Sequence, residues 1–212
     1  MKNDRGKYIT SIPQTPKTLD IPKYANGYPF TYWHFCKQKE KQLGLESPER
    51  TIDSLRYRVW ITNPIGTKNQ SHGLIEIKYD SSKWTGRLIL MRVDLDARHL
   101  SETINKFDTW NLTPKTSWNS IIDSLIKLKI DSLPTDEKIQ NYYTEDTRYN
   151  NNEATYSFEY STRSNYRFYQ YNNIYRVPDK FWQAKNVVLV GNLLEREFKW
   201  DSIARKYFKL NY

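Results

Sequence analysis

The sequence predicts an α+β fold, an antiparallel sheet of about five strands in the order β-β-β-α-β-β-α with two long helices on one face, and three observations carry this. Residues 55–62, 74–79 and 84–95 alternate apolar and polar side chains or run apolar between turn signals, the pattern of three strands in succession. Residues 118–126 place Trp118, Ile121, Ile122, Leu125 and Ile126 at the i, i+3, i+4, i+7, i+8 spacing of a helix with one apolar stripe. Residues 154–171 read ATYSFEYSTRSNYRFYQY, two ring-bearing segments of period 2 joined by a short polar link, as in an aromatic hairpin.

Residues 1–30 carry Pro13, Pro16, Pro22 and Pro29 among polar residues, which disfavours helix and central strand, so an extended arm precedes a single domain over 31–212. Tyr8, Ile9, Ile12 and Ile21 are its candidate anchors to the body. Over 31–44, TYWHFCKQKEKQLG suits a short helix capped by Thr31 and stopped by Gly44, with Trp33, Cys36 and Leu43 inward and His34 partly buried beside these rings. In the first strand Leu55, Tyr57, Val59 and Ile61 share one face, and Arg56, Arg58, Trp60 and Thr62 the other. Asn63-Pro64 and Gly66 break it, and Asp80-Ser81-Ser82-Lys83 turns the second strand into the third. Residues 96–113 have no clear period and read as a long connection. Thr116 or Ser117 caps the helix that follows, and Leu133-Pro134 ends the unit. Residues 135–153, acidic and Asn-rich, read as an exposed loop. Beyond the hairpin, Pro178 opens a helix over about 179–200, with Phe181, Ala184, Val188 and Gly191 on one stripe and Trp182, Leu189 and Leu193 on an adjoining one. Residues 203–212 suit either more helix or a closing strand.

Composition narrows the function classes. The 17 Tyr, 8 Phe and 7 Trp supply the bulk that a 38% hydrophobic fraction lacks elsewhere. Mean hydropathy is −0.85 and no apolar run approaches the roughly 20 residues of a membrane span. Residues 1–20 hold no apolar core of a signal peptide. The single Cys36 excludes an internal disulfide and a multi-cysteine metal site, and fits a reducing compartment or a disulfide-free envelope protein equally. A net charge of +9 is dispersed rather than clustered, unlike a phosphate-binding face. With seven glycines the chain has no P-loop, no GxGxxG and no GxSxG elbow, and HExxH is absent, so no cofactor and no catalytic residue is expected.

The candidate binding residues are aromatic and basic: Arg56, Arg58 and Trp60 on the face opposite Val59, extended by Arg167, Tyr169 and Tyr171 of the hairpin and by Arg176. Exposed Trp, Tyr and Arg are what protein interfaces favour, and a non-enzymatic protein that meets a protein or peptide partner through this sheet face is the first reading. Rings interleaved with Arg also suit a single-stranded nucleic-acid platform, the second reading. Against the second stands a sheet with one face in the core and the other covered by a helix or a partner. Third is a metal-dependent hydrolase: Asp94 and Asp96, at i and i+2 on a strand end, with His99 three residues on, would suit a hard cation, although acidic residues at strand ends are usually solvated. His72 beside Gly73 has no such support.

The segments RVWI at 58–61, GLIEI at 73–77, KWTGRLI at 83–89, TPKTSWNSIIDSLIKLKIDSLP at 113–134, and YSFEY followed by NYRFYQY resemble an uncharacterised family of Bacteroidetes proteins, often exported. The likeness covers about residues 55–200. It implies a single α+β domain and an envelope location, and carries over no catalytic residue.

Overall fold

The expected strands form, and they join in one layer with two that sequence reasoning missed. The computed structural model describes residues 17–24, 27, 29–50, 55–63, 69–80, 82–142, 154–172, 174–175 and 180–209. Its elements are β1 (Thr18–Asp20), α1 (Thr31–Gln42), β2 (Leu55–Asn63), β3 (Gln70–Asp80), β4 (Lys83–Asp96), β5 (Ser101–Leu112), α2 (Trp118–Lys127), a 3-10 turn (Asp136–Lys138), β6 (Thr155–Thr162), β7 (Asn165–Tyr171), α3 (Trp182–Phe198) and α4 (Trp200–Phe208). The sheet has seven strands in the order β1-β7-β6-β2-β3-β4-β5. All neighbours are antiparallel except β1 and β7, so the α+β class holds while the sheet is larger than expected and mixed.

Tyr57, Val59 and Ile61 of β2 fall on the same face as Ile75, Ile77, Leu88, Leu90, Phe158 and Tyr169, because antiparallel pairing keeps opposed residues on one side. That face is covered by Ile121, Ile122 and Leu125 of α2 and by Val187, Val190, Leu194 and Phe198 of α3. Both long helices therefore lie on one side of the sheet. Ser117 caps α2 by accepting the Ser120 amide at 3.2 Å, whereas Thr116 bonds Glu197 of α3. The buried stripe of α3 is rotated from the expected one: Trp182 and Leu189 are exposed, and Val187, Val190 and Leu194 face inward. Lys199, in the left-handed region at φ 54°, ends α3 and lets α4 turn away, so 203–208 are helix, while 210–212 lie outside the described residues.

On the second face α1 packs over Trp60, Leu74, Ile89, Met91 and Phe168 with Cys36 at the contact and Trp33 and Leu43 at its margin. His34 points to solvent instead of sitting partly buried. Thr31 is the first helical residue rather than the cap, and Gly44 at φ 62° turns the chain out of α1. The arm contributes β1, which pairs with 165–167 of β7, and Ile21, which packs beside α1; Tyr8, Ile9, Ile12 and Pro178 lie outside the described residues.

Two supposed loops differ. Residues 101–112 form β5, paired with β4 along its whole length and bulged where Val93 meets Ile104. Of the supposed loop 135–153, residues 135–142 are packed down on β7, with Thr135, Asp136 and Tyr142 buried and the Asp136 carboxylate accepting the Asn172 amide at 2.9 Å, while 143–153 lie outside the described residues. The hairpin link is two residues, not five, and Thr162 Oγ1 accepts the amides of Ser164 and Asn165.

Candidate functional site

The face that carries Arg56, Arg58 and Trp60 is an interior. Register sets Glu159 of β6, Arg58 of β2, Glu76 of β3 and Arg87 of β4 side by side, a row of alternating charge across four strands. Arg58 is fully buried; its Nε lies 2.6 Å from Glu76 and one terminal nitrogen 2.8 Å from Glu40 of α1. Glu159 accepts from Lys37 at 2.7 Å, Trp60 Nε1 at 2.8 Å and the Tyr166 hydroxyl at 2.7 Å. Arg87 reaches Glu76 at 2.6 Å and Arg56 reaches Glu46 at 2.9 Å. Nearer the far end of α1, Lys39 bonds Glu102 at 2.7 Å and sits 3.3 Å from His72, which also meets Gln70.

The electrostatics follow from this pairing. Burial opposes the charge of Glu159, but Lys37 and Arg58 more than offset it and hold its carboxyl down at about 2. Burial likewise works against Glu76, and Arg58, Arg87 and Arg56 bring it below the usual range. For Glu40 burial wins and raises the carboxyl. Burial, reinforced by Lys39, pushes His72 well below its ordinary value, so the ring is neutral. Burial pushes the Cys36 thiol up, away from the nucleophilic thiolate. The layer thus neutralises its own charges and fixes α1 in one register on the sheet.

The remaining sequence candidates do not join this layer. Val59, Phe158 and Tyr169 oppose one another, as do Trp60, Ser157 and Gln170, so Tyr169 and Tyr171 point to the opposite face from Trp60. They are buried there: Tyr169 stacks on Phe158 at 4.9 Å and donates to the Ile130 carbonyl, and Tyr171 donates to Pro134 at 2.6 Å. Arg167 binds Asp20 of β1 at 2.8 Å and the carbonyls of Asp131 and Leu133. Arg176 lies outside the described residues. Among the described residues the contiguous exposed patch of rings and arginines expected from sequence is thus not formed, because α1 covers one side and α2 and α3 the other. Asp96 and His99 pair at 2.6 Å in solvent, which lowers the acid and raises the imidazole. Asp94 instead accepts the Asn69 amide at 2.6 Å. Among the described residues no group of three His, Cys, Asp or Glu is arranged to hold a metal ion.

Among the described residues several features remain accessible, including a shallow pocket of about 400 Å³ between α2 and α3. A polar cleft of about 370 Å³ opens beside the ionic layer between Glu46, Lys78, Arg87 and Asn111. A cavity of about 330 Å³ lies between the sheet at Gly73 and the α3–α4 elbow. The outer edge of β5 is also open. Gln38 and Gln42 of α1 occupy this edge at its start, bonding the amides of Glu102 and Ile104 at 2.8 Å each and the Glu102 carbonyl at 2.7 Å. Alternation carried from Ile104 through the bulge turns the amides of Phe107, Thr109 and Asn111 away from β4. Residues 105–109 are all exposed. At the other end of the sheet, β1 pairs with 165–167 and Thr135 bonds Gln170, so β7 is largely covered. Sequence reasoning missed β5 because its side chains show no apolar alternation.

No family model matches this chain, and neither the curated proteins nor the solved structures include one that matches it significantly. The functional reading therefore rests on the residues themselves.

Proposed function

We propose that this chain is a non-enzymatic binding protein that takes an extended segment of a protein partner as an added strand along β5. The observation that carries the reading is the asymmetry of the sheet edges: β7 is covered by the chain itself, while β5 keeps outward amides at Phe107, Thr109 and Asn111. Backbone pairing would supply affinity and side chains the choice of partner. Phe107 and Thr109 flank the α1 side of the edge, and Lys106, Asp108 and Trp110 the α4 side. An antiparallel partner complements this with an apolar residue opposite Phe107, a base before it opposite Asp108 and an acid after it opposite Lys106. The closure of the edge by Gln38 and Gln42 illustrates the bonding it accepts.

A displayed library of nine-residue segments, selected on the purified chain, tests this. Enriched segments are expected to share the base-apolar-acid core. Binding should fall by about tenfold or more in Thr109→Pro, which removes an outward donor and leaves the β4 ladder intact. Equal binding by Thr109→Pro, or no enrichment, overturns the reading. A wild-type dimer in sedimentation that Thr109→Pro converts to monomer would assign the edge to a second copy of the chain and also overturn it.

A further inference from the structure

The 330 Å³ pocket under the α3–α4 elbow has four small residues, Gly73, Ala154, Gly191 and Ala204, among its larger lining side chains. Gly191 is the informative one. It lies in the interior of α3, where glycine costs about 1 kcal/mol relative to alanine. Its backbone is ordinary helix, and a Cβ there would meet no atom within 4 Å. Neither conformation nor a close neighbour requires glycine; its effect is to keep the space open. A concave pocket kept open at a cost in helix stability is the form a small-molecule site takes.

The walls indicate its chemistry. Ile61, Leu90 and Phe208 provide apolar surface. At the mouth the Tyr156 and Tyr175 hydroxyls lie 3.1 Å apart, and Arg205 pairs with Asp201 at 2.7 Å. Glu195 accepts the Asp201 amide at 2.6 Å, and among the described residues no side-chain cation pairs with it. We propose that this cavity binds a compact apolar molecule carrying a single ammonium group, the apolar body against Ile61, Leu90 and Phe208 and the ammonium at Glu195. The site is separate from the β5 edge and does not depend on it.

Titration calorimetry with tryptamine and with indole-3-propionate, similar in shape and opposite in charge, tests the proposal. Tryptamine is expected to bind at least about tenfold more tightly. Gly191→Leu should fill the space and abolish binding while melting at or above the wild-type temperature, which separates plugging from misfolding. Glu195→Gln, whose amide oxygen still caps α4, should bring the two probes within about twofold of each other. Failure of both probes to bind the wild-type chain, binding that survives Gly191→Leu, or a preference for the anion overturns the proposal.

Discussion

Replacing Glu159 with glutamine tests whether the buried charge row holds α1 on the sheet. The substitution keeps the shape and removes the charge that faces Lys37 at 2.7 Å and Arg58 at 3.6 Å. Of the two carboxylate oxygens, one accepts from Lys37 and Tyr166 and the other from Trp60, so a glutamine must aim its NH2 at a donor whichever way it is turned. Breaking a buried pair and leaving its cations uncompensated costs about 3–5 kcal/mol. Linkage agrees in sign: a carboxyl held below its ordinary value on folding stabilises the fold at neutral pH. Because this pKa is lowered on folding, the stabilisation is complete above about pH 4.5 and is lost as pH falls towards 2. Glu40, whose carboxyl is raised, works in the opposite direction over the range above its ordinary value. Urea unfolding at pH 7 should show the loss directly, and melting should drop by roughly 6–20 °C for a chain of this size. Repeating it between pH 5 and 2.5 should give a flatter profile for Glu159→Gln than for wild type. A cost below about 1 kcal/mol at pH 7, or parallel pH profiles, would refute the assignment of the row as a stabilising layer.

Two further substitutions probe the frame around it. A Cβ on Gly86 would stand 2.5 Å from the Trp118 ring and 3.2 Å from Leu112, so Gly86→Ala should destabilise by about 1–3 kcal/mol in urea, and adding Trp118→Leu should recover part of the loss; an additive double mutant would count against the contact. Lys199 holds φ 54° and ψ 36° between α3 and α4, so Lys199→Gly should raise the urea midpoint by the equivalent of about 0.5–1 kcal/mol, and an unchanged or lower midpoint would mean that the left-handed turn is not strained.

The half-buried strands were legible because alternation reports one buried face. Tyr57, Val59 and Ile61 read correctly, and so did the stripe of α2. Alternation says nothing of what lies on the second face: Arg56, Arg58 and Trp60 are polar or amphipathic, which suits an outward face, and yet they are buried. A signal was nonetheless present. The turn at 80–83 fixes the β3–β4 register and sets Glu76 opposite Arg87, while β2 carries arginines at the same alternate positions. Opposite charges in register across strands are compatible with a covered face, whereas Arg56 and Arg58 considered without partners are not. The α3 stripe was misjudged because Trp182 and Leu189 are large and apolar and yet exposed, while Gly191 borders a cavity rather than a packed contact.

The same inference, that polar means exposed and exposed means unstructured, removed β5 from the sequence reading. For an edge strand neither half holds. Its ladder to β4 is made of backbone groups that every residue but proline carries, so SETINKFDTWNL can be a strand with only Glu102 and Leu112 buried. What polarity along the middle of the strand does imply is that, among the described residues, the cover given by α1 at Glu102 and by α4 at Trp110 leaves 105–109 exposed. At Glu102 and Ile104 the side-chain oxygens of Gln38 and Gln42 accept the outward amides, and among the described residues nothing accepts the next ones, from Phe107 to Asn111. A chain that covers its opposite edge with a parallel strand of three residues shows that closure was within reach of the fold. The bulge beside Ile104 and the charge of Lys106 guard against indiscriminate pairing, so a partner strand must match the register and charge of Lys106 to Asp108 to gain a place there.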